Sequence, residues 1–572
     1  MDIVIRRGTV FDGVSADPIE ADVGIRDGRI AQIGSVDARG TEEIDAKGHV
    51  VTPGFVDIHT HYDGQAIWSD RLSPSSSNGI TTAVMGSCGV GFAPCRREDR
   101  DLLLAVTEGV EDIPDAVMSE GLSWEWETYP EYLDALECRP HDIDIASLLP
   151  HMPLRIFAMG QRGADREPAT AADLDAMYQL TREAVAAGAL GVSTSQLFTH
   201  RTRDGHAVPT FGVAEQELHV IASALRDGGG GQVWQASAIT NMENGSASDD
   251  LAMFSRVVAT GQASGSFSLG QSNWRALMEE VSRANAAGQR IRAQVYPRRF
   301  GLYVNFDLTI HPFCLCPSFR AIMHLPMEQK LVRLRDPAFR ATLLTEEPID
   351  IGQPFHAIGR NFETMYLVGE VQNYEPPADM SIAAIARARG VDPLAYVYDL
   401  LLEDDGATML FLQYTNYADR TLDSVLDMLR HSDSVLGLAD AGAHYGMICD
   451  GAYPSFMLSY WARDRARGRL GFGETIKMLT SEPAEAMRLL DRGRLAVGDK
   501  ADLNVIDPDR INLFKPRIVR DLPAGGKRLA QRTEGYAATI VNGRTIRRDD
   551  ADTFVLPGKL IRGIRPAPQV RS

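Results

Sequence analysis

From Gly54 to Gly442 the chain keeps returning to one pattern, a short apolar run of strand length followed by a stretch whose apolar residues recur at helical spacing. Strand and helix alternating in this way dictate parallel βαβ units, because two parallel neighbours can be joined only through a crossover. Eight segments read as strands: GFVDIHTH, TTAVMGSCG, IDIASLLPH, ALGVSTS, GQVWQAS, SGSFSLGQS, RIRAQVYP and SVLGLADAG. That number suits a (β/α)8 TIM-type barrel. The clearest unit is PATAADLDAMYQLTREAVAAGALGVSTS. There Thr170 can cap a helix whose Leu174, Met177, Tyr178, Thr181 and Val185 share a face, and Gly188 can end it.

The chain ends have a different texture. Residues 1–54 read as short strands between Gly and Asp turns, and a similar texture returns in GDKADLNVIDPD and ATIVNGRTI. Both ends are expected to build one small β-sandwich domain, from 1–54 and 491–550, with the barrel (55–490) inserted between them. The stretch from about Arg298 to Arg430 exceeds any ordinary barrel connection and reads as a lid-like insert. Residues 551–572 read as an extended tail that could pack on a neighbouring subunit, and a homo-oligomer stays open.

Composition narrows the partners. A core large enough for a barrel and a companion domain is within reach of 572 residues, 44% of them hydrophobic. The 58 Lys and Arg against 77 Asp and Glu give a formal charge of −19. Such a surface repels nucleic acid and anionic membranes, leaving a small-molecule substrate. Mean hydropathy is −0.16, and no run approaches the roughly 20 apolar residues of a membrane span. The opening MDIVIRRGTVFDG alternates like a strand and lacks a signal-peptide core, so a cytoplasmic protein is expected. The six cysteines form no disulfide-scaffold pattern and are expected to be reduced.

Chemistry gathers at the ends of the expected strands. His59 and His61 in GFVDIHTHYDG are two apart, so on a strand both imidazoles project to one side and can reach one cation. Cys88 in VMGSCGVGFAP is flanked by glycines that let the backbone bend close to a ligand, although a lone cysteine is more often an inert core residue. Asp440 in LGLADAGAHYG stands where an apolar strand meets a Gly-containing loop, the catalytic end of a barrel strand; capping the next helix is the alternative. His444 lies four residues on, near the same site or simply satisfied by a backbone carbonyl. Arg298 and Arg299 at the mouth of the seventh strand could hold a substrate carboxylate or merely solvate a loop. Cys314 and Cys316 form a C-x-C without a second pair and read as core, and His200 and His206 follow the fourth strand in FTHRTRDGH.

Along nearly its whole length the chain resembles amidohydrolases of the N-acyl-D-amino-acid deacylase (D-aminoacylase) type. The resemblance is carried by GFVDIHTHYDGQ, GITTAVMGSCGVGFAP, GALGVSTS, LADAGAH and DRGRLAVGDKADLNVID. It implies a metal centre formed by His59, His61, Cys88 and Asp440, with zinc as the metal. It also implies hydrolysis of an N-acyl amino acid, of D configuration, by a water activated at zinc, with Asp440 as general base and then acid. The family normally adds one histidine from the fifth strand and one from the sixth. Here GQVWQAS and SGSFSLGQS contain none, and Gln235 and Gln271 offer only neutral amides, so one well-occupied zinc is expected and a second is not. Two other readings stay open: a cyclic-amide hydrolase of the hydantoinase or dihydroorotase kind, against which the absent fourth-strand lysine speaks, and a catalytically impaired small-molecule-binding homologue.

Overall fold

The computed structural model describes residues 1–237, 247–352 and 358–567. Residues 353–357 of the expected insert and 568–572 of the expected tail lie outside the described residues.

Eight parallel strands organise the centre: β1 (Phe55–Asp57), β2 (Ile80–Met85), β3 (Asp144–Ser147), β4 (Gly191–Thr194), β5 (Val233–Ala236), β6 (Ser264–Leu269), β7 (Ile291–Val295) and β8 (Ser434–Leu436). β1, β2 and β3 pair in order, and β4 to β8 pair in order. Leu149–Pro150, just beyond β3, carries the pairing on to β4. The two ends of the array also meet, since Thr60 bridges Ala441 in parallel and the His61 N–H donates to the Ala441 carbonyl at 2.8 Å. Seven of these strands fall inside the segments read from the sequence, and β2 begins one residue before its segment, at Ile80.

The helix expected before β4 runs Ala171–Ala187. Its start is a reciprocal cap, with the Thr170 hydroxyl accepting from the Asp173 N–H and the Asp173 carboxylate accepting from the Thr170 N–H. Gly188, at φ 112°, ends it in a left-handed conformation that suits glycine. Met177, Thr181 and Ala184 form its buried stripe. Among the described residues no helix is long and apolar enough to cross a membrane.

The chain ends do join. Val50–Pro53 pairs in parallel with Ile3–Val10 on one side and antiparallel with Leu503–Ile506 on the other. Hydrogen bonding joins nine strands through that shared strand, and the sheet folds back on itself, Arg548 of Arg544–Arg548 reaching Glu42 beside Ile3–Val10. Ile5, Val23, Ile25, Ile44, Leu503, Val505 and Ile540 share its buried core.

The 298–430 segment is a folded unit with its own core, which includes Phe306, Phe313, Leu334, Tyr398 and Leu412. It holds a three-stranded antiparallel sheet with Leu410–Thr415 between Phe300–Val304 and Met365–Leu367. It is laced to the loop that follows β8: the Tyr303 N–H donates to the Met447 carbonyl and the Thr309 N–H to Gly446. The tail packs on its own chain, its Ile561 N–H donating to the Ile145 carbonyl in β3 and its Arg565 N–H to that of Arg488.

Candidate metal centre

His59 and His61 extend from the C-terminal end of β1, 1% and 4% exposed. At 2.6 Å from Gln294 Oε1 on β7, His59 Nδ1 has an amide oxygen to donate to, and the Gln294 amide nitrogen donates in turn to the Ser266 hydroxyl on β6. That chain directs the lone pair of His59 to Nε2. Nε2 stands 3.2 Å from Cys88 Sγ and 3.2 Å from Asp440 Oδ1. His61 Nε2 lies 3.4 Å from the same Asp440 oxygen, so one carboxylate oxygen faces both rings.

Cys88 reaches this point on a sharp bend after β2. Gly86, Cys88 and Gly89 take φ of 79°, 58° and 71°, a left-handed run that costs a cysteine energy and a glycine little. The bend is pinned from neighbouring strands, with the Cys88 N–H donating to Gln235 Oε1 on β5 and the Gly89 N–H to the Ser193 hydroxyl on β4, both at 3.0 Å. A side chain at Gly86 would meet the Leu148 carbonyl at 2.4 Å. Asp440 (φ 48°) and His444 (φ 52°) are held in the same strained region beyond β8, and such strain collects where function sets geometry.

Electrostatics couple these groups. Burial works against a charged His59 ring, yet the Cys88 sulfur and the Asp440 carboxylate hold it up at about 10. Burial likewise opposes a Cys88 thiolate, and the two imidazoles bring it down to about 6. Asp440 is held well below the usual carboxylate range, burial being outweighed by its bonds to His59 and His61. A site that draws protons onto two imidazoles to neutralise a thiolate and a carboxylate is one where a divalent cation can replace those protons. Geometry agrees: the ligand atoms of His59, His61 and Cys88 lie within 4.8 Å of one another, and His61 Nε2 is buried without a hydrogen-bond partner.

Of the weaker expectations, Arg298 is committed internally. Its Nη2 bonds Asp450 at 2.6 Å and the Cys449 carbonyl at 2.8 Å, and its Nε donates to the Tyr296 hydroxyl at 2.6 Å. Arg299 lies over the Phe411 ring at 4.4 Å, donates through Nη2 to the Asn373 carbonyl, and keeps a buried Nη1 with no partner. Burial pushes its guanidinium down to about 10. It lines a hollow with Arg298, Tyr303, Gln372, Tyr374 and Phe411. His444 is held neutral by burial, at about 4, and so is His200, at about 3, whose ring bonds the Ser195 hydroxyl. His206 is exposed. Cys316 is core, while Cys314 is half-buried. Gln271 is drawn away by the insert, bonding Asp419 and the Ala418 N–H, whereas Gln235 sits at the centre with its oxygen already used by Cys88.

A family model described as the amidohydrolase family matches residues 42–547. The chain belongs to that family. This amidohydrolase is 29% identical over 554 residues to an uncharacterized protein of Mycobacterium tuberculosis, covering 89% of this chain and 85% of the relative. It is 27% identical over 530 residues to the N-acyl-D-glutamate deacylase of Alcaligenes xylosoxydans xylosoxydans, covering 89% and 88%. The crystal structure of N-acyl-D-glutamate deacylase from Bordetella bronchiseptica, complexed with zinc and a phosphonate inhibitor, superposes with a TM-score of 0.64 at 23% identity over 98% and 99% of the chains, a shared fold. The amidohydrolase is thus a D-aminoacylase-like hydrolase of carbon–nitrogen bonds other than peptide bonds.

Sequence reasoning missed two residues that the structure brings against His59 and His61, Gln294 and Glu111, the latter with Oε1 3.4 Å from His61 Nδ1. Gln294 had a signal, as the lone amide in the strand RIRAQVYP. Glu111 had none, since an acid closing a surface helix pattern looks like any solvated one.

Proposed function

We propose that this amidohydrolase removes the acyl group of an N-acyl-D-amino acid, giving a carboxylate and a free amine. The observation that carries the reading is the buried His59–His61–Cys88 cluster facing a single Asp440 oxygen. The N-acyl-D-glutamate deacylase relative supports the substrate class. We assign the eight-strand array to a (β/α)8 barrel spanning 55–490, the flanking sheet to 1–54 and 491–550, and the 298–430 insert to a cover over the mouth, since it ties to the loop beyond β8. A cytoplasmic location fits this reading.

His59, His61, Cys88 and Asp440 would hold one zinc, a thiolate and imidazole set that suits zinc over magnesium. Among the described residues, β5 and β6 offer a second metal no histidine, the Gln235 oxygen being bound by the Cys88 N–H and Gln271 being drawn away. Bound zinc would supply Lewis-acid polarisation of the scissile carbonyl and a lowered pKa for water. Asp440 takes the proton of the attacking water as the carbon–oxygen bond forms, then returns it to the amide nitrogen as the carbon–nitrogen bond breaks. Gln294 keeps His59 oriented throughout. Arg299, with its unpartnered Nη1, is the arginine we assign to the substrate's carboxylate, because Arg298 is occupied by Asp450.

The test is a panel of N-acyl-D-amino acids, N-acyl-L-amino acids and cyclic amides, scored for free amine or ring-opened product with zinc-loaded and metal-stripped protein. Zinc-dependent release from the D series alone is expected. Turnover confined to cyclic amides would replace this function with the hydantoinase-like one. Zinc-loaded protein that binds members of the panel without turnover would make it a binding homologue.

A further inference from the structure

Glu111 closes the helix Arg100–Glu111 and is 2% exposed. Its carboxylate stands between two rings, with Oε1 3.4 Å from His61 Nδ1 and Oε2 3.5 Å from His444 Nε2. The backbone fastens the same place, since the His444 N–H donates to the Glu111 carbonyl at 2.5 Å. The next residue, Asp112, turns into the left-handed region (φ 51°), and its carboxylate accepts from the Thr309 hydroxyl at 2.9 Å and the Gly446 N–H at 2.8 Å. Two adjacent acids therefore meet the β1 extension, the loop beyond β8 and the insert.

Their tasks differ. Asp112 accepts hydrogen bonds from the insert and from a loop N–H, which accounts for a buried acid without chemistry. Glu111 faces imidazoles, and leaving a carboxylate at that depth without partners would be costly. Behind His59 stands the Gln294 oxygen, on Nδ1, so that Nε2 looks into the centre; behind His61 the oxygen facing Nδ1 is that of Glu111, at 3.4 Å. An oxygen on the far nitrogen is how a metal-binding histidine is held in one tautomer and one ring orientation.

We propose that Glu111 is a positioning residue: its carboxylate holds the His61 ring by Nδ1 so that Nε2 faces Cys88 and Asp440, and its carbonyl, which accepts from the His444 N–H, ties that orientation to the loop beyond β8. This rests on the reading that the centre holds a metal. Glu111→Leu removes the acceptor, whereas Glu111→Gln keeps an amide oxygen like the one Gln294 gives His59.

The experiment measures zinc affinity by chelator competition for the full chain, with crystals of the metal-free variants as the second readout. Glu111→Leu is expected to bind zinc about 10–100-fold more weakly and to show a turned His61 ring, with Glu111→Gln within about threefold of the unchanged protein. Should Glu111→Leu not fold, Glu111→Met is read in its place. Zinc affinity within about threefold in the Leu or Met variant, with the ring unmoved, would overturn the proposal. If the unchanged protein takes up no stoichiometric zinc, the metal reading fails, and the His61 ring alone decides: turned in the Leu variant it supports the positioning role, unmoved it overturns it.

Discussion

Arg298→Met tests whether the first arginine beyond β7 serves stability or substrate. Arg298 and Asp450 side chains are each 3% exposed and meet at 2.6 Å, with the Tyr296 hydroxyl and Cys449 carbonyl completing the guanidinium's bonds. Methionine fills similar volume but leaves Asp450 buried, with Oδ2 already lacking a hydrogen bond. Breaking one side of such a pair costs about 3–5 kcal/mol, which at a urea slope of about 3 kcal/mol per molar lowers the midpoint by about 1–1.7 M. Tryptophan fluorescence is a suitable probe, because the Trp461 indole donates to the Pro297 carbonyl at 2.7 Å, next to the mutated residue. The double variant Arg298→Met/Asp450→Leu should recover at least about 1 kcal/mol of that loss, since no lone charge stays buried. Arg299→Met in parallel should leave the midpoint nearly in place and raise KM about tenfold or more, as expected for one charge-assisted bond to a substrate carboxylate. An unchanged midpoint with a raised KM in Arg298→Met would refute this reasoning and return substrate binding to Arg298.

Asp440→Asn keeps the size and removes the base, so kcat on the substrate found by the panel should fall about 100-fold or more with the fold retained, as steady-state kinetics and circular dichroism would show. In metal-free protein carrying Cys138→Ser, which removes the exposed thiol, Cys88 should be alkylated with a half-maximal rate near pH 6 and loss of reaction below it as the thiolate is protonated. Cys95 and Cys449, pushed up to about 12 by burial, should stay unreactive, zinc should protect Cys88, and Cys88→Ser should lower zinc per chain by elemental analysis.

The eight strands were legible because short runs with buried apolar residues alternate with stretches of helical spacing, and that alternation shows in a single sequence. His59 and His61 were legible for a local reason, since spacing of two on a strand end already puts both rings on one side. Cys88 and Asp440 stood out through neighbouring glycines, which mark where the backbone bends. The partners of these residues come from distant segments, and no local pattern could pair Gln294 with His59 or Glu111 with His444. Arg298 misled for the same reason: an arginine after a strand end looks free for substrate until Asp450, some 150 residues away, is seen to hold it. How the chain ends pair was not legible, because the pairing of Val50–Pro53 on both edges depends on register, which alternation does not specify.

That strand also bears on how the protein is made. Val51 neighbours Val505, a separation of about 450 residues. At a synthesis rate of about 5–20 residues per second, roughly 20–90 s pass between the two leaving the ribosome. Throughout that interval one edge of Val50–Pro53 offers unpaired N–H and carbonyl groups, a template for strands of other nascent chains. The sheet that holds Ile3–Val10 is thus completed only after the eight-strand array has been made, and C-terminal truncations ending before Leu503 should aggregate during synthesis even though they carry His59, His61, Cys88 and Asp440.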